Sequence, residues 1–522
     1  MVATSIDQTA ILIRLMHLAE RLGLSRRNII LLLFSLTLVC LAAPVIEAQR
    51  SRFSVQIVPG PTARAIVRGA GEPTKTWSFR DAYAGVLGLG KRIENFTVTA
   101  ADRSNVPVRN IAPGQFESAM PASEFRYEVR LSPPSIAADS ARVSWLNTER
   151  GLLMLADLLS VSPSSTAASD EVINLHLDLP AGWSSYSTDR SAGEQIEIRN
   201  PDRTVIAVGK HLRIATEKIS GMSLTFVADG DWAFQDNESI EIASKVLRVH
   251  FNTFGSMPFS EAVVTLFPFP QATDGSQWSA ETRGATVSLL MGRLPSKVAA
   301  LAQLSTPLTH ELFHLWVPNG LALDGDYDWF YEGFTIYQAA RAAVRLDLLT
   351  FNEFLNAIAR ASDGYRSANE PDRLSLIDAS QRRWTTGETS VYSKSFVIAF
   401  IYDLRLRNSS HGKRSLDNVY RDLFKRYSSA LAIGAERKAE SNGNDAAVNA
   451  LTASLGSEDF VRMFVRNPVS INLSAELSPF GLTIESVGRR MQITVNEKLS
   501  KPQRDLMRQL GYNNVTSASR AK

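Results

Sequence analysis

The sequence predicts a multidomain α+β protein: an all-β N-terminal domain, a mixed middle domain, a C-terminal helical region and a short β-hairpin. Three observations support this fold class. Up to about residue 208, short β-rich runs alternate with Pro, Gly, Asn and Asp. From about residue 296, apolar residues recur mainly at helical spacing. The length of 522 residues and the hydrophobic content of 44% allow several buried cores.

The N-terminal segment has the pattern of an export signal. Several arginines precede a charge-free apolar run, 29–46, and a small residue follows at Ala48. The run is also just long enough to span a bilayer, so residues 1–48 are predicted to be a cleaved signal peptide or a retained membrane anchor, and the remaining alternative is an ordinary buried helix. A signal peptide or an anchor predicts an exported protein, periplasmic or secreted. Because Cys40 is the single cysteine and lies in this run, a metal in the mature chain would be held by His, Asp or Glu.

Residues 49–215 are predicted to form the all-β domain. Its strand candidates are FSVQIV, RIENFTVTA, FRYEVRL and VINLHLDL. The next domain, 216–400, contains a helix that starts near cap-competent Asp236 and ends at Gly255. Two strand candidates follow this helix, AVVTLFPF and GATVSLLMG.

Helices dominate the rest of the chain. They are predicted over 296–317, 329–346, 351–361, 394–407, 415–427 and 457–465. Residues 401–475 are therefore predicted as a helical subdomain. Residues 476–522 are predicted as a β-hairpin that turns near Gly488 and is followed by a polar tail.

The charge pattern gives no reason to expect a nucleic-acid partner. The net charge is +3, which is close to neutral for a chain of this length. The short basic clusters RRNII, SQRRW and GRRMQ are interpreted as solvated faces, since none extends into a basic stripe.

The strongest chemical signal is an H-E-x-x-H motif at residues 310–314. On a helix, residues four positions apart share a face, so His310 and His314 can bind one metal ion with Glu311 beside them. A hydrolytic zinc site uses three protein ligands, and Glu332 in WFYEGF, on the next predicted helix, is the candidate for the third. Glu311 is then the general base towards water. These residues predict a zinc hydrolase with one Zn²⁺ per chain.

Large aromatic residues surround the motif, and they have two possible roles. They could line a substrate site, or they could pack the two helices that carry the metal ligands. Packing is the more usual role of aromatic residues at helical spacing. The residues interpreted in this way as core are Phe313, Trp316, Trp329 and Phe334.

These motifs resemble the glycyl aminopeptidase family of gluzincin zinc metallopeptidases. HELFHLW and WFYEGFTIY match its metal motifs, and FNTFGSMPFSEAVVTLFPF resembles its entry into the catalytic domain. SLDNVYRDLFKRY and SEDFVRMFVRNP resemble its closing helices. The resemblance extends over most of residues 52–475 and implies a thermolysin-like catalytic domain that acts on peptide or protein substrates.

The resemblance also implies two further site residues. VYSKSFVIAFIYDLRLR is similar to a Tyr-x-Lys-Gly helix, which implies that Tyr392 is the transition-state donor. WSAETRGATVSLL corresponds to a Gly-Gly-Leu-Glu-His element, which places Glu281 at the glutamate that binds a substrate α-amino group. An ion pair of this kind suits an aminopeptidase.

The sequence departs from the family pattern at four places. Ser279 and Ala280 stand where the glutamate element has other residues, Ser395 replaces the glycine after Lys394, and Val317 replaces an asparagine. Members often carry a PDZ domain after the helices, but residues 476–522 are too few for a complete one, so it is expected to be missing.

Three functions follow as hypotheses. The first is an exported zinc aminopeptidase, and the second is an endopeptidase on the same site. The third is a catalytically weak peptide-binding protein that keeps the fold. In either peptidase, the substrate is expected to lie along an edge strand, for which GATVSLL is the candidate.

Overall fold

A computed structural model describes residues 52–100, 102–160, 172–192, 194–428, 441–487 and 490–512. The predicted signal or anchor, with the run 29–46 and Cys40, lies outside these residues. No helix among the described residues is long and apolar enough to cross a bilayer.

The N-terminal region is built of strands, as predicted. Nine of its described strands form one sheet, in the order β13-β14-β11-β1-β2-β8-β5-β6 with β7 paired to β8, and β12-β15-β10-β9 form a second. In β1 every second residue is buried, because one face of the strand covers the core. The bounds are β1 Arg52–Val58, β2 Arg64–Ser78, β3 Ala82–Tyr83, β4 Val86–Leu87, β5 Ile93–Thr99, β6 Asn105–Val106, β7 Val108–Ala112, β8 Gln115–Arg130, β9 Trp145–Leu146, β10 Arg150–Met154, β11 Ile173–Asp178, β12 Ser184–Tyr186, β13 Arg190–Ala192, β14 Gln195–Ile198 and β15 Val205–Gly209.

A mixed sheet of five described strands follows, in the order β16-β17-β18-β20-β19. Its strands are β16 Arg213–Ile219, β17 Met222–Ala228, β18 Glu261–Pro268, β19 Trp278–Arg283 and β20 Thr286–Met291. The prediction that GATVSLL forms the edge was wrong. All of β20 is buried because it pairs with β18 on one side and with β19 on the other. The edge strand is β19, which contains the WSAET segment.

The remainder is mainly helical with a few short strands, which confirms the predicted α+β fold class. The helices are α1 Asp236–Phe254, α2 Lys297–Glu311, α3 Thr335–Arg345, α4 Phe351–Arg366, α5 Leu376–Gln381, α6 Ser395–Ser409, α7 Leu416–Tyr427, α8 Gly443–Leu455, α9 Asp459–Val461, α10 Leu473–Leu477 and α11 Lys501–Gln509. The short strands β21 Leu323–Asp324 and β22 Ser441–Asn442 pair in parallel. The hairpin is formed by β23 Leu482–Val487 and β24 Arg490–Val495.

Helix α11 lies where a polar tail was expected. It begins with a capping box between Ser500 and Gln503. Met507 and Leu510 are fully buried at its end, and Arg341 donates to the Gln509 carbonyl at 2.9 Å. Burial of these few apolar residues holds a helix whose other positions are polar.

The aromatic residues around the metal motif form core, as predicted. The rings of Phe254 and Trp316 stack with centroids 5.2 Å apart, and Phe313 packs edge-on against Tyr420. Trp316, Phe313, Trp329 and Phe334 have no exposed surface. This packing fixes the end of α2 against α1 and α7, so it positions the two histidines.

Candidate metal centre and substrate cleft

The structure brings His310, His314 and Glu332 together. His310 lies in the last turn of α2, and the chain then tightens into a 3-10 turn, Phe313–Leu315, which carries His314. The two Nε2 atoms lie 2.9 Å apart. Glu332 Oε2 lies 3.3 Å from the Nε2 of His310 and 3.6 Å from that of His314.

These separations fit one zinc ion. Nitrogen and oxygen ligands lie about 2.0–2.2 Å from tetrahedral zinc, which separates them from each other by about 3.3–3.6 Å. The separations of Glu332 Oε2 from the two histidine nitrogens, 3.3 and 3.6 Å, lie in this range, and the 2.9 Å between the two Nε2 atoms is somewhat shorter. Two imidazoles and one carboxylate also form the donor set of a catalytic rather than a structural zinc site.

Neighbouring groups orient the ligand atoms. His314 Nδ1 lies 2.8 Å from the Val317 carbonyl, which can only accept, so Nδ1 carries the proton and Nε2 faces the centre. This contact uses the backbone of Val317, so it does not depend on the side chain that departs from the family pattern. Burial would raise the pKa of the Glu332 carboxyl, but the Arg383 guanidinium and His314 hold it well below its usual value. The carboxylate is therefore ionised and able to bind a cation.

Glu311 lies beside the three ligand residues and is almost completely buried. Its Oε2 accepts a hydrogen bond from Thr282 Oγ1 at 2.7 Å. Thr282 belongs to the edge strand β19, so this strand holds the predicted base in place. One carboxylate oxygen is thus fixed by the protein while the side chain still lines the cleft.

Arg383 is a site residue that the sequence interpretation missed. The interpretation of SQRRW as a solvated face was wrong for this residue, because its side chain is only 11% exposed. Arg383 Nη2 forms an ion pair with Glu332 Oε1 at 2.8 Å and donates a hydrogen bond to the Tyr392 hydroxyl. Its Nη1 donates to Asp328 at 2.8 Å. Neither sequence spacing nor a motif marks Arg383, because its partners come from distant elements.

Tyr392 lies on the same cleft and keeps its proton. Burial raises the pKa of its phenol well above the ordinary value. Because the hydroxyl oxygen accepts from Arg383, its own hydrogen remains available for another acceptor. The residue therefore has the character of a neutral hydrogen-bond donor.

Glu281 lies on β19 and faces the N-terminal β region. Its Oε1 accepts from the Tyr83 hydroxyl at 2.9 Å, and its Oε2 lies 4.0 Å from Arg142 Nε. Burial raises the pKa of the Glu281 carboxyl, although the Arg283 guanidinium acts in the opposite direction. A cationic ligand stabilises the charged form of a buried carboxylate, so Glu281 is suited to bind one. Sequence reasoning missed Tyr83 and Arg142, since both lie far upstream of every motif.

A single cleft of about 790 Å³ contains all of the predicted site residues. They are His310, Glu311, His314, Glu332, Glu281 and Tyr392. The roles assigned to them in the sequence analysis remain predictions.

Three π-helical turns build one side of the cleft: Trp329–Phe334, Arg383–Gly387 and Ser390–Lys394. They carry Glu332, Arg383 and Tyr392, and such turns are frequent at functional sites. Two of them approach closely at Gly333, where a Cβ atom would lie 2.2 Å from Ser395 Cβ. Ser395 itself is accommodated, because it faces this glycine and its hydroxyl donates to the Ser390 carbonyl at 2.9 Å.

Comparison with known proteins agrees with this architecture. The family model of the M61 glycyl aminopeptidases matches residues 322–401, a segment that includes Glu332 and Tyr392. No curated protein matches the chain. An aminopeptidase N family protein from Idiomarina loihiensis is 18% identical, with 83% of this chain and 79% of that chain covered and a TM-score of 0.70. An M1 zinc metallopeptidase from Deinococcus radiodurans is 14% identical, with 81% and 96% covered and a TM-score of 0.50.

These findings confirm the predicted resemblance to gluzincin peptidases. The matched family is one of peptidases, and the similar structures are described as an aminopeptidase N family protein and a zinc metallopeptidase. The family match confirms the predicted class of peptidase, and the clustered His310, His314 and Glu332 supply the metal site that a metallopeptidase needs. At these identities the structural likeness concerns the fold, so substrate and cleavage mode are treated below as proposals.

Proposed function

We propose that the chain is an exported zinc aminopeptidase, which removes residues from the free N-termini of peptides. The observation that carries the proposal is the meeting, in one cleft, of a three-ligand metal site, a buried base and a carboxylate suited to an ammonium group. His310, His314 and Glu332 would hold the ion. When bound, zinc supplies Lewis acidity towards water and a peptide carbonyl.

The substrate is expected to pair with β19. This strand is the described edge of its sheet, so its outer side can bond with an extended peptide, except at the Thr282 carbonyl, which accepts from Asn319 Nδ2 at 3.3 Å. Glu281, on the same strand, would bind the α-amino group and so place the first peptide bond beside Glu311. This arrangement selects a chain end rather than the middle of a chain.

Two side chains would then move or hold protons. Glu311, oriented by Thr282, takes a proton from the attacking water and returns it to the leaving amine. Tyr392, held by Arg383, donates a hydrogen bond to the oxygen that gains negative charge. The retention of all these groups supports an enzyme over a peptide-binding protein.

Export remains part of the proposal and rests on the sequence alone. The arginines, the apolar run 29–46 and the small residue at Ala48 favour a secretory signal or a membrane anchor. A mature chain without cysteine also agrees with a site built from His and Glu.

The aminopeptidase proposal is tested with matched peptides that have free or acetylated N-termini. We expect the free peptides to be cleaved at least tenfold more efficiently, because only they pair with Glu281. Glu281→Gln should lower kcat/KM for free peptides about 30-fold, which corresponds to about 2 kcal/mol for a charge-assisted bond. Glu388→Gln, at an exposed carboxylate that lines the same cleft, should keep the preference. Equal cleavage of both peptide sets would instead identify an endopeptidase.

A further inference from the structure

Arg142 is a cation in the cleft with few partners. Its side chain is 27% exposed and lines the cleft beside Glu281. A guanidinium has five donors, but here Nη1 makes one long bond of 3.5 Å to the Ala84 carbonyl. Asp139 at 3.9 Å and Glu281 at 4.0 Å are beyond hydrogen-bond length. Among the described residues, its buried Nε has no hydrogen-bond partner.

Arg383 in the same cleft provides the contrast. Its two terminal nitrogens are held by Asp328, Glu332 and Tyr392, whereas those of Arg142 make one long bond. The buried Nε of Arg383 has no hydrogen-bond partner among the described residues either, so the contrast lies in the terminal nitrogens. Terminal donors that the protein leaves unpaired beside a cleft are available to a ligand, so those of Arg142 indicate a binding role that Arg383 does not have.

A second guanidinium adds positive charge at the same place. Arg283 is 3% exposed, lies on β19 two residues after Glu281, and donates from Nη2 to the Arg142 carbonyl. Its Nε and Nη1 have no hydrogen-bond partner within the part of the chain that the structure describes. The Tyr83 ring lies 3.8 Å from its guanidinium carbon and covers it.

Charge counting at this end of the cleft identifies the missing partner. Three carboxylates, Glu281, Asp139 and Glu311, are balanced there by three guanidinium groups, Arg142, Arg283 and Arg383. An α-amino group bound to Glu281 would leave one excess positive charge in a partly buried site, which is unfavourable. A carboxylate on the same substrate residue would restore neutrality.

We infer that the cleft selects peptides whose first residue is acidic, with the side-chain carboxylate bound by Arg142. The ring of Trp384 lies 5.2 Å from the Arg142 guanidinium carbon and helps to hold it towards the cleft. Because Arg142 Nε lies 4.0 Å from Glu281, the two groups are spaced for an ammonium and a carboxylate on one amino acid. The inference rests on the proposed function, in which Glu281 binds the α-amino group.

The test compares aminoacyl coumarylamides, which have a free amine and no α-carboxylate. Glutamyl and glutaminyl substrates form a matched pair that differs only in side-chain charge. We expect the wild-type protein with zinc to hydrolyse the glutamyl substrate at least about tenfold more efficiently, as is typical of a charge-assisted bond. Arg142→Gln should bring the ratio of the two kcat/KM values towards one. This ratio is insensitive to losses that affect both substrates equally.

A control variant and three outcomes complete the test. Arg109→Gln, at a 75% exposed arginine on β7, should retain the wild-type ratio. Equal or faster hydrolysis of the glutaminyl substrate, or an unchanged ratio in Arg142→Gln, would overturn the inference while leaving the aminopeptidase proposal intact. A preference for dipeptides over their amides, without a glutamyl preference, would show that Arg142 binds a chain terminus and would also overturn it. Failure to cleave any free-amine substrate would reject the proposed function itself.

Discussion

At the scale of single residues, Arg383 connects two functions of the cleft. Its Nη2 forms an ion pair with the candidate metal ligand Glu332 and donates a hydrogen bond to the candidate oxyanion donor Tyr392. It leaves Glu332 Oε2 for the metal and the Tyr392 hydrogen for the substrate. Arg383 is therefore a positioning residue in this account, and its effect on turnover should depend on Tyr392.

Removal of Arg383 tests this dependence. We expect Arg383→Ala to lower kcat about 100-fold, with a smaller change in KM. The reason is that Tyr392 would be misplaced, and its hydrogen bond to the oxyanion is made mainly in the transition state. Tyr392→Phe should lower kcat similarly, and the double variant should be no more than about threefold worse than either single variant. Zinc content is measured for each protein, since Glu332 also loses a partner. Arg382→Ala, at the exposed neighbouring position, is the control. Losses that multiply in the double variant would show that Arg383 does not act through Tyr392.

At the scale of elements, the π-helical turns Trp329–Phe334 and Ser390–Lys394 are packed too closely for an ordinary side chain at Gly333. A Cβ atom at Gly333 would meet Ser395 Cβ at 2.2 Å and the Val391 carbonyl at 2.5 Å. The second of these neighbours is backbone, so it cannot rotate away. Gly333 thus permits the turn that carries Glu332 to lie against the turn that carries Tyr392.

We predict that Gly333→Ala lowers the free energy of unfolding by at least about 3 kcal/mol, because overpacking against backbone outweighs the usual helix preference for alanine. The melting temperature and the zinc content should both fall. Gly364→Ala in α4 is the matched control, since a Cβ atom there meets only Ser393 Oγ at 3.8 Å. That variant should be stabilised by about 0.5–1 kcal/mol. Equal melting temperatures for the two variants would contradict this description of the turns.

Local sequence patterns predicted a structural feature well where residue spacing within one segment determined it. The H-E-x-x-H spacing places both histidines on one side, and the aromatic residues around it are core in the structure. The edge strand was assigned wrongly because sheet order depends on tertiary pairing, which β20 does not reveal in its own residues. Helix α11 was missed because most of its residues are polar, although Ser500 and Gln503 gave a capping signal.

At the scale of the whole molecule, the cleft combines distant parts of the chain. Tyr83 and Arg142 come from the N-terminal β region, Glu281 from the five-stranded sheet, and the metal ligands from the helices that follow. No periodicity or spacing in the sequence connects residues 83 and 142 with residue 281. The metal ligands and Glu311 could therefore be predicted from the sequence. The neighbours of Glu281 could not, because only the folded chain brings them together.

The same arrangement explains why the end of the cleft that contains Glu281 differs from the end that contains the metal ligands. The metal end is formed by helices whose aromatic core fixes their positions. The other end is formed where β19 meets the hairpin β3–β4 and the 3-10 turn Ala137–Ala141, through the Tyr83–Glu281 bond and the bond from Ser279 Oγ to the Ala138 carbonyl at 2.6 Å. Differences in specificity between related chains are expected at this second end.

The central claim, a zinc peptidase that uses Glu311 as its base, is tested most directly by measuring bound zinc and peptide turnover together. We predict one zinc ion per chain for both the wild-type protein and Glu311→Gln, since Glu311 is not one of the three clustered ligand residues. The wild-type protein should cleave peptides with free N-termini, and the variant should be slower by about 1,000-fold, as expected for loss of a general base. Stoichiometric zinc without turnover in the wild-type protein, or full turnover in Glu311→Gln, would contradict the account.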